Sequence, residues 1–215
     1  NPAYAAMIKS VDESLGRIIK KIFELGIADN TLIFFFSDNG GHNYYTSNAP
    51  LRSGKGNPYE GGIREPLIAW WPGQIPENSR CNHPVSSIDF FPTICGITNV
   101  DIPDQVIIDG LDLSPLIFQK EGLSSECLFW HFPNYRDYET VTPYIIVRIW
   151  NWKLIRFWEG RHELYDLEND ISEKHNLAEE FPSIVNELIL NLDQWLEEVN
   201  AKAPRKNPEY QYQIR

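Results

Sequence analysis

Cysteine is scarce and unpaired in this sequence. Three are spread over 215 residues, Cys81, Cys95 and Cys127, with no C-x-x-C spacing. That excludes a zinc knuckle and a dense disulfide framework, and three buried, reduced thiols are the simplest expectation. Positive charge is also short: 19 Lys and Arg stand against 30 Asp and Glu, a formal charge of −11. A long-range field of that sign repels nucleic acid and anionic membranes, so neither is an expected partner. An anionic ligand would need cations gathered locally. No run approaches the roughly 20 consecutive apolar residues of a membrane span, and the opening NPAYAAMIKSVDE is unlike a signal peptide. The first residue is Asn1 rather than Met and helical periodicity begins almost at once, as expected of an engineered piece, a processed product or a fragment.

What is present is an ordinary globular composition, 42% hydrophobic, enough for a substantial core. Ile8, Val11, Leu15, Ile18, Ile22 and Leu25 recur by threes and fours, predicting a helix over residues 4–25 that ends at Gly26. Residues 31–36 (TLIFFF) are apolar on both alternating faces, as in a strand buried between helical layers of a parallel sheet. A second such strand over 67–71 stops at Pro72-Gly73, and residues 86–94 read as a short capped helix that Pro92 ends or kinks. Helix followed by buried strand reads as α/β.

Beyond Leu111 the texture changes. Strands are expected over 127–132, 144–150 and 153–158, the last two as a hairpin about Asn151-Trp152. A final helix over 182–199 aligns Ile184, Leu188, Leu192, Trp195 and Val199. This is a small antiparallel sheet with a helix packed on it. Residues 202–215 carry two prolines and no apolar period, an extended tail. The expected divisions are 1–122, 123–201 and 202–215, with no internal repeat.

The sharpest chemical signal is Ser37-Asp38-Asn39-Gly40-Gly41, directly after the first strand. Ligands of open α/β sheets collect at the carboxyl ends of strands. Asp and Asn side by side offer one charged and one neutral hard oxygen, suited to Ca²⁺ or Mg²⁺; the competing reading is an Asx-type turn. The loop Ala49-Pro50-Leu51-Arg52-Ser53-Gly54-Lys55-Gly56 sets two cations between glycines, a candidate anion site or simply surface charge. Glu60 and Arg64 are expected to pair structurally. His131, among aromatic residues, reads first as a packing histidine, and Trp150, Trp152 and Trp158 as cross-strand core rather than a sugar platform.

The order SDNGG, APLRSGKG, YEGGIREPLIAWWPG, then SIDFFPT, DGLDLSPL and WKLIRFWEGRHELYDLENDISEKHNLAEE resembles the type I sulfatases of the alkaline phosphatase superfamily, to about residue 178. Ile171 departs from a frequent proline there, in a turn. The resemblance implies the C-terminal part of an alkaline-phosphatase-like sandwich with a mostly parallel sheet. It also implies hydrolysis of sulfate esters, on a sulfated small molecule or sulfated carbohydrate, in a periplasmic, secreted or lysosomal compartment. By resemblance Asp38 and Asn39 would be Ca²⁺ ligands, with Mg²⁺ the lesser choice. Asp38 would also accept a hydrogen bond from the nucleophile, Lys55 would hold a sulfate oxygen, and His131 would touch the leaving-group side. No role is carried onto His42.

The family's C/S-x-P-x-R motif, whose Cys or Ser becomes the formylglycine nucleophile, is absent: the cysteines sit in CNHP, CGI and CLF. The nucleophile and the remaining metal ligands are therefore expected in a missing N-terminal half, and this chain alone is expected to be inactive. A half-site should bind calcium weakly. Two other readings stay open, a non-catalytic remnant or binding module of the same fold, and a phosphate or phosphonate ester hydrolase of the same superfamily.

Overall fold

The structure is a computed structural model that describes residues 1–120, 127–136 and 141–205. It divides into two compact units, Asn1–Leu128 and Phe129–Arg215. The expected boundary at residue 122 and most of the expected tail lie outside the described residues.

In the first unit, helix α1 (Pro2–Glu24) starts where Asn1 caps it, the Asn1 Oδ1 accepting from the amides of Ala3 (3.0 Å) and Tyr4 (3.3 Å). Pro2 sits where no N–H is needed. The helix ends at Leu25, and Gly26 takes a left-handed φ of 66°. The predicted apolar stripe is there, but no residue of α1 is buried. Met7, Ile8, Val11, Ile18 and Phe23 are all at least half exposed.

Strands β1 (Ile33–Phe36) and β2 (Leu67–Trp70) pair antiparallel, Ile33 opposite Trp70 and Phe36 opposite Leu67. The expectation of parallel pairing and burial on both faces is corrected for these two strands. A parallel pair needs a crossover that packs on the sheet, usually a long helix. The connection here holds only the single turn α2 (Glu60–Ile63). Phe36 and Ile68 stay exposed.

A 3₁₀ turn at Ser87–Asp89 leads into α3 (Phe90–Thr98). Pro92 neither ends nor kinks this helix, because it falls in the first turn, where its missing N–H has no intrahelical acceptor to lose. Asn99, at φ 53°, ends it instead. Buried Asp89 and Thr93 anchor the downstream segment: the Asp89 carboxylate accepts from Ser86 N (2.7 Å) and Leu111 N (2.9 Å), and Thr93 Oγ1 accepts from Leu113 N at 2.9 Å. The segment then forms the short helix α4 (Ser114–Ile117). Phe90 stacks on Phe34 with centroids 5.0 Å apart, joining α3 to β1.

In the second unit the three expected strands and the expected final helix are present, and a fourth strand, His162–Asp166, joins them beyond the expectation. Strands β3 (Cys127–Phe132), β4 (Tyr144–Ile149), β5 (Trp152–Phe157) and β6 (His162–Asp166) form one sheet in sequence order, and helix α5 (Pro182–Glu198) packs on β4 and β5. Val185, Leu188 and Leu192 are the buried residues of α5, and Trp195 stacks on Phe129 at 4.7 Å. Ile145, Ile146, Val147, Leu154, Ile155 and Leu164 are fully buried, so both sheet faces are covered. The Lys153–Glu173 ion pair, at 2.7 Å with both side chains fully buried, fastens the segment after β6. Trp150 is not core: it occupies the β4–β5 turn at φ 56° and is 63% exposed.

The thiols are free, but only Cys95 is buried; Cys81 is exposed and Cys127 half-buried, which corrects the expectation of a fully buried set. Burial pushes the Cys127 thiol up to about 11.

Two outcomes follow from this packing. Glu173→Gln removes the negative charge 2.7 Å from the buried Lys153 ammonium and should cost about 3–5 kcal/mol in urea unfolding. A Lys153→Met, Glu173→Leu double variant should recover much of that loss; equal stability of the single variant and wild type would refute it. The bare stripe of α1 should make the isolated 215-residue chain self-associate with concentration in light scattering. An Ile8→Lys, Val11→Glu variant should shift it toward monomer, and a monodisperse wild-type monomer would contradict the expectation.

Candidate functional site

The polar loop between β1 and β2 carries the candidate residues Asp38, Asn39 and Lys55. The chain leaves β1 at Ser37, whose Oγ donates to Asn39 O (3.0 Å), closing a tight turn. Asp38 is exposed within it and Asn39 is half-buried. Glu65, at the far end of the loop, feels the same turn: burial pushes its carboxyl above the usual carboxylate range, the Ser37 hydrogen bond opposes the shift, and the charge on Asp38 adds to it. The carboxyl groups of Asp38 and Glu65 thus lie within electrostatic reach of each other at the end of β1.

Glycines lock the three sequence motifs together. Gly40 N donates to Gly62 O (3.1 Å), Gly61 N to Arg52 O (2.9 Å), and Lys55 N to Gly41 O (3.1 Å). A Cβ on Gly40 would run into the carbonyl of Gly61, one on Gly61 into that of Ser53, and one on Gly54 into that of Gly41. Backbone lies directly on backbone, an approach only glycine permits. The Asn48 side chain completes the knot, accepting from Gly41 N (3.0 Å) and donating to Gly41 O (2.8 Å) and Ser53 O (2.9 Å).

Around this knot the charged groups are sorted. The Arg52 guanidinium lies over the Tyr59 ring, 3.6 Å from its centroid. Arg64 pairs with the buried Glu60 at 3.5 Å, as expected of a structural pair. Lys55 is exposed, its backbone pinned two residues beyond Asn39. Asp38, Asn39 and Lys55 therefore share one rigid scaffold. Chemically it offers two hard oxygens for a cation and an ammonium for an anion. Among the described residues no group of three or more His, Cys, Asp or Glu could hold a metal, and two ligands fall short of the about six to eight that Ca²⁺ takes.

His131 belongs to the second unit, on β3. Its Nε2 is buried with no hydrogen-bond partner among the described residues, and burial lowers its pKa. Its ring is tilted against Trp158 at 6.0 Å, and the Trp158 Nε1 is likewise buried and unsatisfied. Sequence reasoning passed over Asn48 and Glu65. Asn48 sits in a run of polar residues, and only the fold shows that its amide bridges two loops; Glu65 was legible solely as a neighbour of Pro66.

Comparison with known proteins bears on this arrangement. Residues 2–100 match the sulfatase family model, and residues 54–202 match the model for N-sulphoglucosamine sulphohydrolase, C-terminal. A sulfatase of Formosa agariphila is 36% identical over 198 residues, covering 84% of this chain and 36% of that protein. N-acetylgalactosamine-6-sulfatase of Sus scrofa is 36% identical over 154 residues, covering 69% of this chain and 29% of that one. The chain thus spans about a third of the length of these curated relatives. Among solved structures, Ps i-CgsB in complex with k-i-k-neocarrahexaose superposes with a TM-score of 0.80 at 30% identity, covering 89% of this chain and 42% of that one. A protein solved with its substrate, D-glucosamine-2-N,6-O-disulfate, gives 0.77 at 25% identity over 94% of this chain and 41% of its own.

The glycine knot makes a sharp prediction. Gly40→Ala should force the loops apart and cost about 1–3 kcal/mol by thermal or urea unfolding. Gly16→Ala, on α1 with nothing within 4 Å of its new Cβ, should be neutral or slightly stabilising. Equal effects of the two substitutions would show that the loops are not held by backbone contact.

Proposed function

The chain belongs to the sulfatase family, and from that premise we propose that it supplies the C-terminal portion of a calcium-dependent type I sulfatase acting on sulfated carbohydrate. The observation that carries this reading is the shared scaffold: Lys55 N donates to the carbonyl of Gly41, two residues beyond Asn39, and the Asn48 side chain clamps Gly41 in place. In this reading β1 and β2 form an antiparallel margin of a larger, mostly parallel sheet.

Asp38 and Asn39 fit calcium in kind, one charged and one neutral hard oxygen, with the further ligands proposed to come from polypeptide outside this chain. A bound Ca²⁺ would supply positive charge against the negative charge that builds on the transferring group. Lys55 would donate to a sulfate oxygen and hold the group in orientation. Asp38 would also accept a hydrogen bond from the nucleophile. That nucleophile is proposed to be formylglycine, again outside this chain, since C/S-x-P-x-R is missing here. His131 is proposed as a substrate contact because its buried Nε2 has no partner among the described residues. Carbohydrate is favoured as substrate class by the sugar ligands of the two structural neighbours and by the N-acetylgalactosamine-6-sulfatase relatives. No described helix is long and apolar enough to cross a membrane; a periplasmic, secreted or lysosomal location rests on the family resemblance alone.

The test begins with peptide mapping of the natural protein for a formylglycine-bearing peptide, followed by turnover of a sulfated sugar with and without calcium. Asp38→Asn and Lys55→Ala should each lower kcat/KM at least about 100-fold with little change in melting temperature. Full activity in both variants would remove these residues from the reaction. A preference for phosphate over sulfate esters would move the protein to the phosphatase reading.

A further inference from the structure

One feature of the same loop is used by neither the metal ligands nor the anion-holding lysine. Tyr44 is 80% exposed and Tyr45 46% exposed, adjacent in the turn that follows the glycine knot. Their rings meet edge to face, centroids 5.0 Å apart and planes at 84°, so together they form an open aromatic corner. The His42 ring backs Tyr45 at 5.2 Å.

The corner is held in place. Tyr45 N and Thr46 N both donate to His42 O, at 2.8 and 3.1 Å, and Tyr44 N donates to the His42 Nδ1 at 3.2 Å. At its two ends the turn is clamped by Gly41 and Asn48, the residues that also fasten the backbone of Lys55 and Ser53. The tyrosines are therefore fixed to the same scaffold as the candidate sulfate-holding cation. Tyrosine presents a large, rigid, amphipathic surface and loses little freedom on binding.

The surroundings distinguish this patch from the stripe of α1. That stripe is mainly aliphatic and helically periodic, suited to cover by more protein. The side chains of Asn43, Ser47 and Asn48 bond within the loop, but each tyrosine carries a phenol hydroxyl on an exposed ring, a polar group that a dry protein contact would strip of water. A hydrated ring with an apolar C–H face and polar edges satisfies both parts. The electron-rich face of an aromatic ring attracts the weakly positive C–H groups of a pyranose, while the phenol hydroxyls can bond the hydroxyls at its edge.

We propose that Tyr44 and Tyr45 are a sugar-stacking platform that receives the pyranose ring of the substrate whose sulfate is held at Lys55, and so select carbohydrate over aryl sulfate esters. This rests on the sulfatase reading and assigns specificity within it, using binding energy from a part of the substrate that does not react.

The test compares a sulfated galactose disaccharide with nitrophenyl sulfate in the intact enzyme. Tyr44→Ala should raise KM for the disaccharide about tenfold more than it does for nitrophenyl sulfate, and Tyr44→Phe should restore most of the loss. An equal change for both substrates, or no change for the disaccharide, overturns the platform. If wild type cleaves neither ester, the sulfatase reading fails, and saturation-transfer NMR with the same disaccharide decides the platform separately. Transfer to the sugar C–H protons that is lost in Tyr44→Ala supports it, and no transfer in wild type overturns it.

Discussion

Everything at the candidate site depends on the direct contact of backbone with backbone where Gly40, Gly54 and Gly61 meet the carbonyls of neighbouring loops. Without side chains between them, three segments of the one loop approach closely enough to exchange amide hydrogen bonds. The candidate side chains then need no contact with one another to hold their relative places. Asp38, Asn39 and Lys55 stay solvated or half-solvated, ready for a ligand, while the rigidity is supplied beneath them. Glycine ordinarily costs chain entropy on folding; here that cost is spread over a loop whose precision is its use.

The two units distribute their stability differently. Phe129–Arg215 has a complete core, with a four-stranded sheet covered on both faces and a buried ion pair fastening its last segment. Asn1–Leu128 has few buried apolar side chains, and its longest helix buries none. Its order rests on hydrogen-bonded loops, on the Asp89–Thr93 anchor and on the stacking of Phe34 and Phe90. A helix as amphipathic as α1, whose apolar face is half-covered at Leu15 and Ile22 but open at Met7, Ile8, Val11 and Ile18, is poorly accounted for by this chain's own packing. Proposing further sulfatase polypeptide gives that face a partner.

Where sequence reasoning succeeded, local physics was sufficient. The stripe from Ile8 to Leu25, the hairpin between β4 and β5 and the apolar face of α5 are set by periodicity and turn chemistry, which act within a few residues. It failed where the outcome depended on distant chain. Pro92 was read as a breaker because the sequence does not show which turn of a helix it will occupy. The run TLIFFF was read as doubly buried because hydrophobicity records what a strand can bury, not what reaches it. Trp150 was assigned to the core although the turn register carried it outward.

By itself the sequence determined the mixture of helices and strands, the antiparallel C-terminal sheet with its helix, the absence of C-x-x-C and C/S-x-P-x-R motifs, and the ordered motifs that point to the sulfatases. These are properties of composition, period and order along the chain. Only the tertiary structure decided that β1 and β2 run antiparallel, that Asn48 bridges two loops, that Lys153 and Glu173 are buried together, and that Tyr44 and Tyr45 stand exposed beside the glycine knot. Each of these is a relation between groups brought together by folding. The free energy of such a contact belongs to the pair and its surroundings, so neither residue announces it in the linear sequence.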